Sequence, residues 1–236
     1  MIAFISDVHG NYPALKAVID KIDGLGCRRI ISLGDVSGYY CFINECVDLF
    51  KSRNILNLMG NHDFYLVSNS ECPRSRSVND LLEYQKKNIR PENLAWLGRS
   101  PAAYNNGLFS CVHGGWNNPM DEYMINIEPD YFKRFDEGLF FSGHTHIQKI
   151  LSFGPQKYCN PGSVGQPRDG NPKAAFAVLE GNTIILHRVA YNIDEIASAM
   201  QSAGFDDYYF RGLYSGQAIG ADKLRPNRDS ARPATK

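Results

Sequence analysis

Short β-branched or aromatic runs alternate with longer stretches of helical period, and that alternation restricts the chain to a few layered architectures. The runs at residues 2–5, 30–33, 55–59, 108–112 and 139–141 are apolar and bounded by turn residues, so they read as buried strands. Between the first two, Asn11 is placed to cap a helix with Pro13 in its first turn. Leu15, Val18, Ile19 and Ile22 then recur at helical spacing before Gly24 and Gly26. This is a β-α-β unit. Further helices are expected over 44–53 and 78–88, with Pro91 opening a short helical turn that carries Leu94 and Leu97. Later the pattern changes. Residues 174–179 and 183–191 are joined by Glu180-Gly181-Asn182, a turn suited to an antiparallel hairpin, so the sheet should be mixed. Asn192, with Glu195 three residues on, starts a last helix through Ile196 and Met200 that stops at Gly204.

The fold class expected is α/β, in a single domain over 1–222 with its motif-bearing core in 1–191. From Lys223 to the end no aromatic or branched aliphatic residue follows Leu224, and 223–236 is expected to be a disordered tail. A chain of 236 residues with 43% apolar content buries roughly 70% of its unfolded surface, so no metal or disulfide is needed merely to fold. Any metal is then functional. Twenty-five basic against 25 acidic residues leave no field to attract a polyanion, which argues against a nucleic-acid or anionic-membrane partner. Apolar runs fall far short of the roughly 20 residues of a membrane span, and no leader is visible. Six cysteines without a CxxC pair are expected to be reduced core thiols, and the chain is expected to be cytoplasmic.

Chemistry-bearing residues gather where strands end. His9, His62, His113, His144 and His146 follow shortly after a strand, as do Asp7 and Asp35. In open α/β sheets the carboxyl edges of the strands form the ligand crevice, so separate strands would deliver these side chains to one place. Asp7-Val8-His9, Gly34-Asp35 and Val112-His113-Gly114 are weak signals singly; His144-Thr145-His146 is moderately informative, Gly60-Asn61-His62-Asp63 is stronger, and all five in order are informative. A mixed imidazole, carboxylate and amide set suits Mn, Fe, Zn, Co or Ni rather than Mg or Ca, and the absence of cysteine argues against a structural zinc. Seven candidate ligands are too many for one ion and right for two ions sharing a carboxylate. Such a pair clamps phosphoryl oxygens and deprotonates a bridging water for in-line attack.

Together these motifs resemble the calcineurin-like metallophosphoesterases, and Ser6-Asp7-Val8-His9-Gly10-Asn11 with residues 160–168 (NPGSVGQPR) is similar to the small bacterial branch of YfcE-like phosphodiesterases and diadenosine tetraphosphatases. The resemblance covers about residues 1–191. It implies a central β-sandwich of two mixed sheets flanked by helices. It also implies two divalent ions, manganese first, with Fe, Zn, Ni or Co as alternatives. Asp7, His9 and His146 would hold one ion, Asn61, His113 and His144 the other, with Asp35 bridging. His62 would then protonate the leaving group or stabilise phosphoryl charge, oriented by Asp63. Protein phosphatases of this family carry an Asp and an Arg where this chain has Gly38 and Tyr39, which speaks against that activity.

The function expected is hydrolysis of a small phosphomonoester, phosphodiester or dinucleoside polyphosphate. The alternatives are a non-catalytic scaffold of the same fold, or a nuclease, disfavoured by the neutral charge. Arg168 is a candidate phosphate contact through its planar fork of donors. Asn11 is either a helix cap alone or a cap that also touches phosphate. Residues 39–42, 64–65, 115–118 and 208–214 are expected to wall the pocket, with Tyr40 and Trp116 as candidate recognition residues. His187, inside an alternating strand pattern, is expected to be packed rather than ligating.

Overall fold

The computed structural model describes residues 1–220, so the expected tail over 223–236 lies outside the described residues. The elements follow in the order β1 (Ile2–Ile5), α1 (Tyr12–Gly24), β2 (Arg29–Ser32), α2 (Ile43–Ser52), β3 (Leu56–Asn57), α3 (Asn61–Val67), α4 (Arg76–Asn88) and α5 (Pro91–Leu97). Next come β4 (Ala103–Asn105), β5 (Phe109–Val112), β6 (Leu139–Phe141), β7 (Lys149–Phe153), β8 (Gln156–Asn160), β9 (Ala174–Glu180), β10 (Thr183–Val189) and α6 (Ile193–Ser202).

Two five-stranded mixed sheets result. In the first, ordered β10-β9-β1-β2-β3, the strands β1, β2 and β3 are parallel and the β9–β10 hairpin adds antiparallel to β1. In the second, ordered β4-β5-β6-β8-β7, the middle three are parallel and both edges antiparallel. Parallel neighbours need long crossovers, and α1 and α2 supply those of the first sheet.

Side-chain alternation assigns each strand face. Phe4 of β1 points between the sheets, stacking on Phe141 at 3.8 Å and meeting Phe109 edge-on at 5.3 Å. Its neighbours Ala3 and Ile5 join the opposite core, where α1 buries Leu15, Val18, Ile19 and Ile22 against the first sheet. Side chains from α2, α4 and α6 and the buried Tyr209, Phe210 and Leu213 complete that core. The outer face of the second sheet is covered by residues 116–137, a succession of turns from which Trp116, Met124 and Phe132 pack on Phe140 and Tyr158.

The architecture is therefore α/β, two mixed sheets flanked by helices, as the sequence implies. Three strands escape the periodicity: β4, β7 and β8 are short and only partly apolar. So does α3, whose seven residues are too few to show a period. All six cysteines are free thiols, four of them buried, and His187 stacks on Phe176 at 4.8 Å. No helix among the described residues is long and apolar enough to cross a membrane.

Candidate active site

The candidate ligands sit just beyond β1, β2, β3, β5 and β6, on turns that hold them in an uncommon backbone conformation. Asp7, His9, Asp35, His144 and His146 all have left-handed φ, between 54° and 65°. For a residue with a Cβ this costs roughly 1–2 kcal/mol, and it persists only where surrounding contacts overdetermine it. Here they do: Asp7 N donates to Gly34 O at 3.0 Å, His9 N to Asp35 O at 2.9 Å, Gly165 N to Asp7 O at 2.9 Å and Arg168 N to His146 O at 3.2 Å. Each turn is stitched to the next, and the side chains are aimed inward.

The imidazole orientations follow from backbone carbonyls. The Nδ1 atoms of His9, His113 and His146 lie 2.7, 3.0 and 2.6 Å from the carbonyl oxygens of Ser37, Leu33 and Gln166. A carbonyl can only accept, so the proton is assigned to Nδ1 and Nε2 is turned into the centre. His9 Nε2 and His146 Nε2 face each other at 3.1 Å. Burial pushes both imidazoles below their ordinary pKa, so two bare lone pairs point at each other. Around them Asp7 Oδ1, Asp35 Oδ2 and His144 Nε2 are buried without a hydrogen-bond partner. Asp7 Oδ1 is 3.3 Å from His146 Nε2, and Asp35 Oδ2 is 3.8 Å from His9 Nε2 and 3.3 Å from His113 Nε2. Lone pairs and carboxylate oxygens converging in a buried space are repulsive unless a cation lies among them. The donor set therefore fits metal ions.

Three groups have ligand atoms within 4.8 Å of one another: Asp7, His9 and His146; Asp35, His113 and His144; and His9, Asp35 and His62. Asn61 Oδ1, presented from the first residue of α3, is 3.2 Å from His113 Nε2. His113 differs from its neighbours. Burial alone would lower its pKa, but the Asp35 carboxylate, with Asp7 and Asp63 behind it, outweighs that and raises it to about 9. His144 is held down to about 3 by burial and by His113, and His62 to about 4, chiefly by burial.

Around this cluster several expectations are revised. Asp63 makes no hydrogen bond to the His62 ring. Instead Oδ2 accepts from Asp35 N at 2.9 Å and Oδ1 from Ser37 N and Ser37 Oγ at 2.9 and 2.8 Å, so it braces the turn that presents Asp35. Asn11 is fully buried; it caps α1 through Ala14 N, and its amide donates to Gly165 O and Tyr191 OH, leaving no donor for a phosphate. Tyr40 is 2% exposed and bonded to Gln166, and Trp116 packs on Phe132 and Phe140 with Nε1 donating to Ser110 Oγ, so neither walls the site. Tyr39 does, its ring 4.4 Å from that of His9 and 4.9 Å from that of His62. Arg168 donates to Tyr39 OH and Gln166 Oε1.

Three residues the motifs did not flag border the other side. The Tyr123 ring lies 4.0 Å from the His144 ring, Asp121 Oδ1 is 3.5 Å from His144 Nε2, and Arg74 makes a bidentate pair with Asp121. All three lie in aperiodic loops, where sequence carries no placement signal.

Comparison with known proteins agrees with this geometry. Residues 1–183 match the calcineurin-like phosphoesterase superfamily domain. An uncharacterized protein of Methanocaldococcus jannaschii is 36% identical, the match covering 92% of this chain and 98% of that one. Phosphodiesterase YfcE of Escherichia coli is 25% identical over 82% of this chain and 93% of its own. A metallophosphoesterase from Sphaerobacter thermophilus superposes with a TM-score of 0.79 at 31% identity, covering 91% of this chain and 99% of that one. With a matched family domain over most of its length and a buried carboxylate–imidazole cluster at its strand ends, this chain belongs to the calcineurin-like phosphoesterases and is a metal-dependent hydrolase.

Proposed function

We propose that this chain hydrolyses a small phosphomonoester, phosphodiester or dinucleoside polyphosphate at a dinuclear centre. Asp7, His9 and His146 hold one ion, Asn61, His113 and His144 the second, and Asp35 bridges. The observation that carries this reading is the convergence of the bare His9 and His146 nitrogens with Asp7 Oδ1 and Asp35 Oδ2, carboxylate oxygens that are buried without a hydrogen bond. Asp35 supports the bridging role because Oδ2 reaches toward His9 on one side and His113 on the other. When bound, two such ions clamp the phosphoryl oxygens and lower the pKa of the attacking water. Manganese is the first choice for this mixed N/O set, with Fe, Zn, Ni and Co behind it.

The protein's own groups do the rest. His62, reached by Asp35 through its backbone N–H at 2.9 Å, presents its ring between Tyr39 and the cluster. Its depressed pKa keeps it neutral near pH 7 in the ligand-free chain. An arriving anionic phosphate raises that pKa, so the ring takes up a proton from water and would then give it to the leaving oxygen. Arg168 makes no hydrogen bond through Nη1 among the described residues, and that donor is the one we assign to a substrate phosphate oxygen. The catalytic unit is residues 1–222. Its last described stretch supports this, since Tyr209, Phe210 and Leu213 pack in the same core as α1.

The test is initial hydrolysis rates of the Mn-loaded chain on phosphomonoesters, phosphodiesters and dinucleoside polyphosphates, with Asp35→Ala purified in parallel. Activity on one bond class that disappears in Asp35→Ala is the expected result. Activity that persists in Asp35→Ala belongs to a contaminant, and a doubly loaded chain inert on every member overturns the reading.

A further inference from the structure

One cavity of the molecule lies away from the metal centre. About 750 Å³ in volume, it opens at the amino ends of β2 and β3 and is lined by Arg28, Arg29, Arg53 and Arg99, together with Trp96 and Asn57. The centre described above lies at the carboxyl ends of the same strands, and Arg29 to Ser32 alone separates the two by about 10 Å. The volume is in the range of small-molecule sites. Four guanidiniums and no carboxylate line it.

Two of those guanidiniums are engaged. Arg53 pairs with Asp23 on the rim, and Arg29 donates to Tyr104 OH at 3.1 Å while lying over that ring. The guanidiniums of Arg28 and Arg99 make no hydrogen bond or ion pair among the described residues. Such forks match the oxygens of a phosphate or a carboxylate bidentately, and two of them close together suit a multiply charged phosphate. Trp96, half-buried, is the aromatic side chain of the wall and supplies a face for a planar ring. Asn57 forms part of the lining, is 3% exposed, and its Oδ1 is buried without a hydrogen-bond partner. Its amide nitrogen is committed elsewhere, 3.1 Å from Ser100 Oγ and 3.4 Å from Asp63 Oδ2. Asp63 in turn holds the backbone N–H groups of Asp35 and Ser37.

We infer that this cavity is a second ligand site, that it takes a nucleoside phosphate, and that occupancy is felt at the Asp35 turn through Asn57 and Asp63. The phosphates sit on Arg28 and Arg99, the base lies against Trp96, and a donor on the ligand meets the partnerless Asn57 oxygen. Because that amide also contacts Asp63, fixing it stiffens the hydrogen bonds that present Asp35. This is a site distinct from the substrate position and independent of the metal assignment.

The probe is α,β-methylene-ADP, titrated calorimetrically into the full chain stripped of metal, so that the carboxylate–imidazole centre has no cation to offer it. One equivalent should bind. Arg28→Ala/Arg99→Ala, both at the exposed rim, should weaken it at least tenfold, and Arg168→Ala, at the metal centre, should not change it. Inorganic phosphate should bind at least tenfold more weakly than the nucleotide. In hydrogen exchange, the amides of Asp35 and Ser37 should slow at least threefold on binding in the wild type and not in the double variant. No saturable binding, or a loss caused by Arg168→Ala instead, overturns the site. Phosphate binding as tightly as the nucleotide overturns the ligand class, and unchanged exchange at Asp35 and Ser37 overturns the coupling.

Discussion

The two halves of the proposed metal centre differ in what they hold before any ion arrives. On the side of Asp7, His9 and His146, both imidazoles are neutral and their Nδ1 protons are parked on carbonyls. On the other side His113 keeps an extra proton, which the Asp35 carboxylate 3.3 Å away stabilises. A proton there stands where a metal ion would. The first half is also sealed under Tyr39, whereas the second is bordered by Tyr123, 47% exposed, and by the Arg74–Asp121 pair. The difference teaches that, on the proposed assignment, similar ligand sets need not load alike: one half would wait for a cation, and the other would have to give up a proton.

Asp35→Ala removes what the halves share and should have the largest effect. Turnover should fall by about a thousandfold or more, and bound metal should drop from two ions to at most one, read by elemental analysis alongside the rate. Retention of both ions would show that the halves are independent. His62→Ala comes next. Turnover should fall about 10²- to 10³-fold with both ions kept, the signature of a group that acts on the leaving oxygen. Since His62 also lies within ligand reach of His9 and Asp35, loss of an ion would assign it to the centre instead.

The proton difference gives a sharper measurement. His113 must lose its proton to ligate, so affinity for the second ion should fall about tenfold for each pH unit below about 9, with close to one proton released per ion at pH 7 to 8. The first ion should show flat affinity over that range, because His9, His146 and Asp7 are all shifted below their ordinary values. Equal slopes for both ions would erase the distinction drawn above. In the metal-free chain the same raised pKa stabilises the fold fully below pH 6.5, and that contribution is lost as pH rises through about 9. Smallest of all, Tyr123→Leu should change the rate by only a fewfold while weakening the second ion more than the first. A metal titration resolves the two.

How much of this was legible in the sequence depended on whether a residue had periodic neighbours. Asp7, His9, Asp35, His113, His144 and His146 each follow an apolar run that announces its own end, so their convergence could be read. Asn61 and His62 were legible as a motif but not as the start of a helix, because α3 has seven residues and draws its N-terminal support from Asp63. Asp121, Tyr123 and Arg74 lie in turns whose positions are set by tertiary contacts alone. Tyr40 and Trp116 erred the other way: an aromatic in a motif-flanking loop looks like a pocket wall, yet both found partners for their polar atoms inside the core.

Gly60 shows how little slack the centre has. A Cβ there would land on the Asp35 carboxylate, so Gly60→Ala should disturb the proposed bridging carboxylate while the helices behind it keep their packing.

Five of the proposed ligand residues are held in left-handed backbone by bonds running from one loop to the next. A loop free to relax would return to its favoured basin whenever its ion departed. These loops cannot do so singly, since each turn's amide is another turn's anchor. Metal exchange at the proposed centre should then be a matter of ion dehydration and passage past the tyrosines, with no refolding step in the clock. The scaffold behaves as a socket whose shape outlasts what is plugged into it.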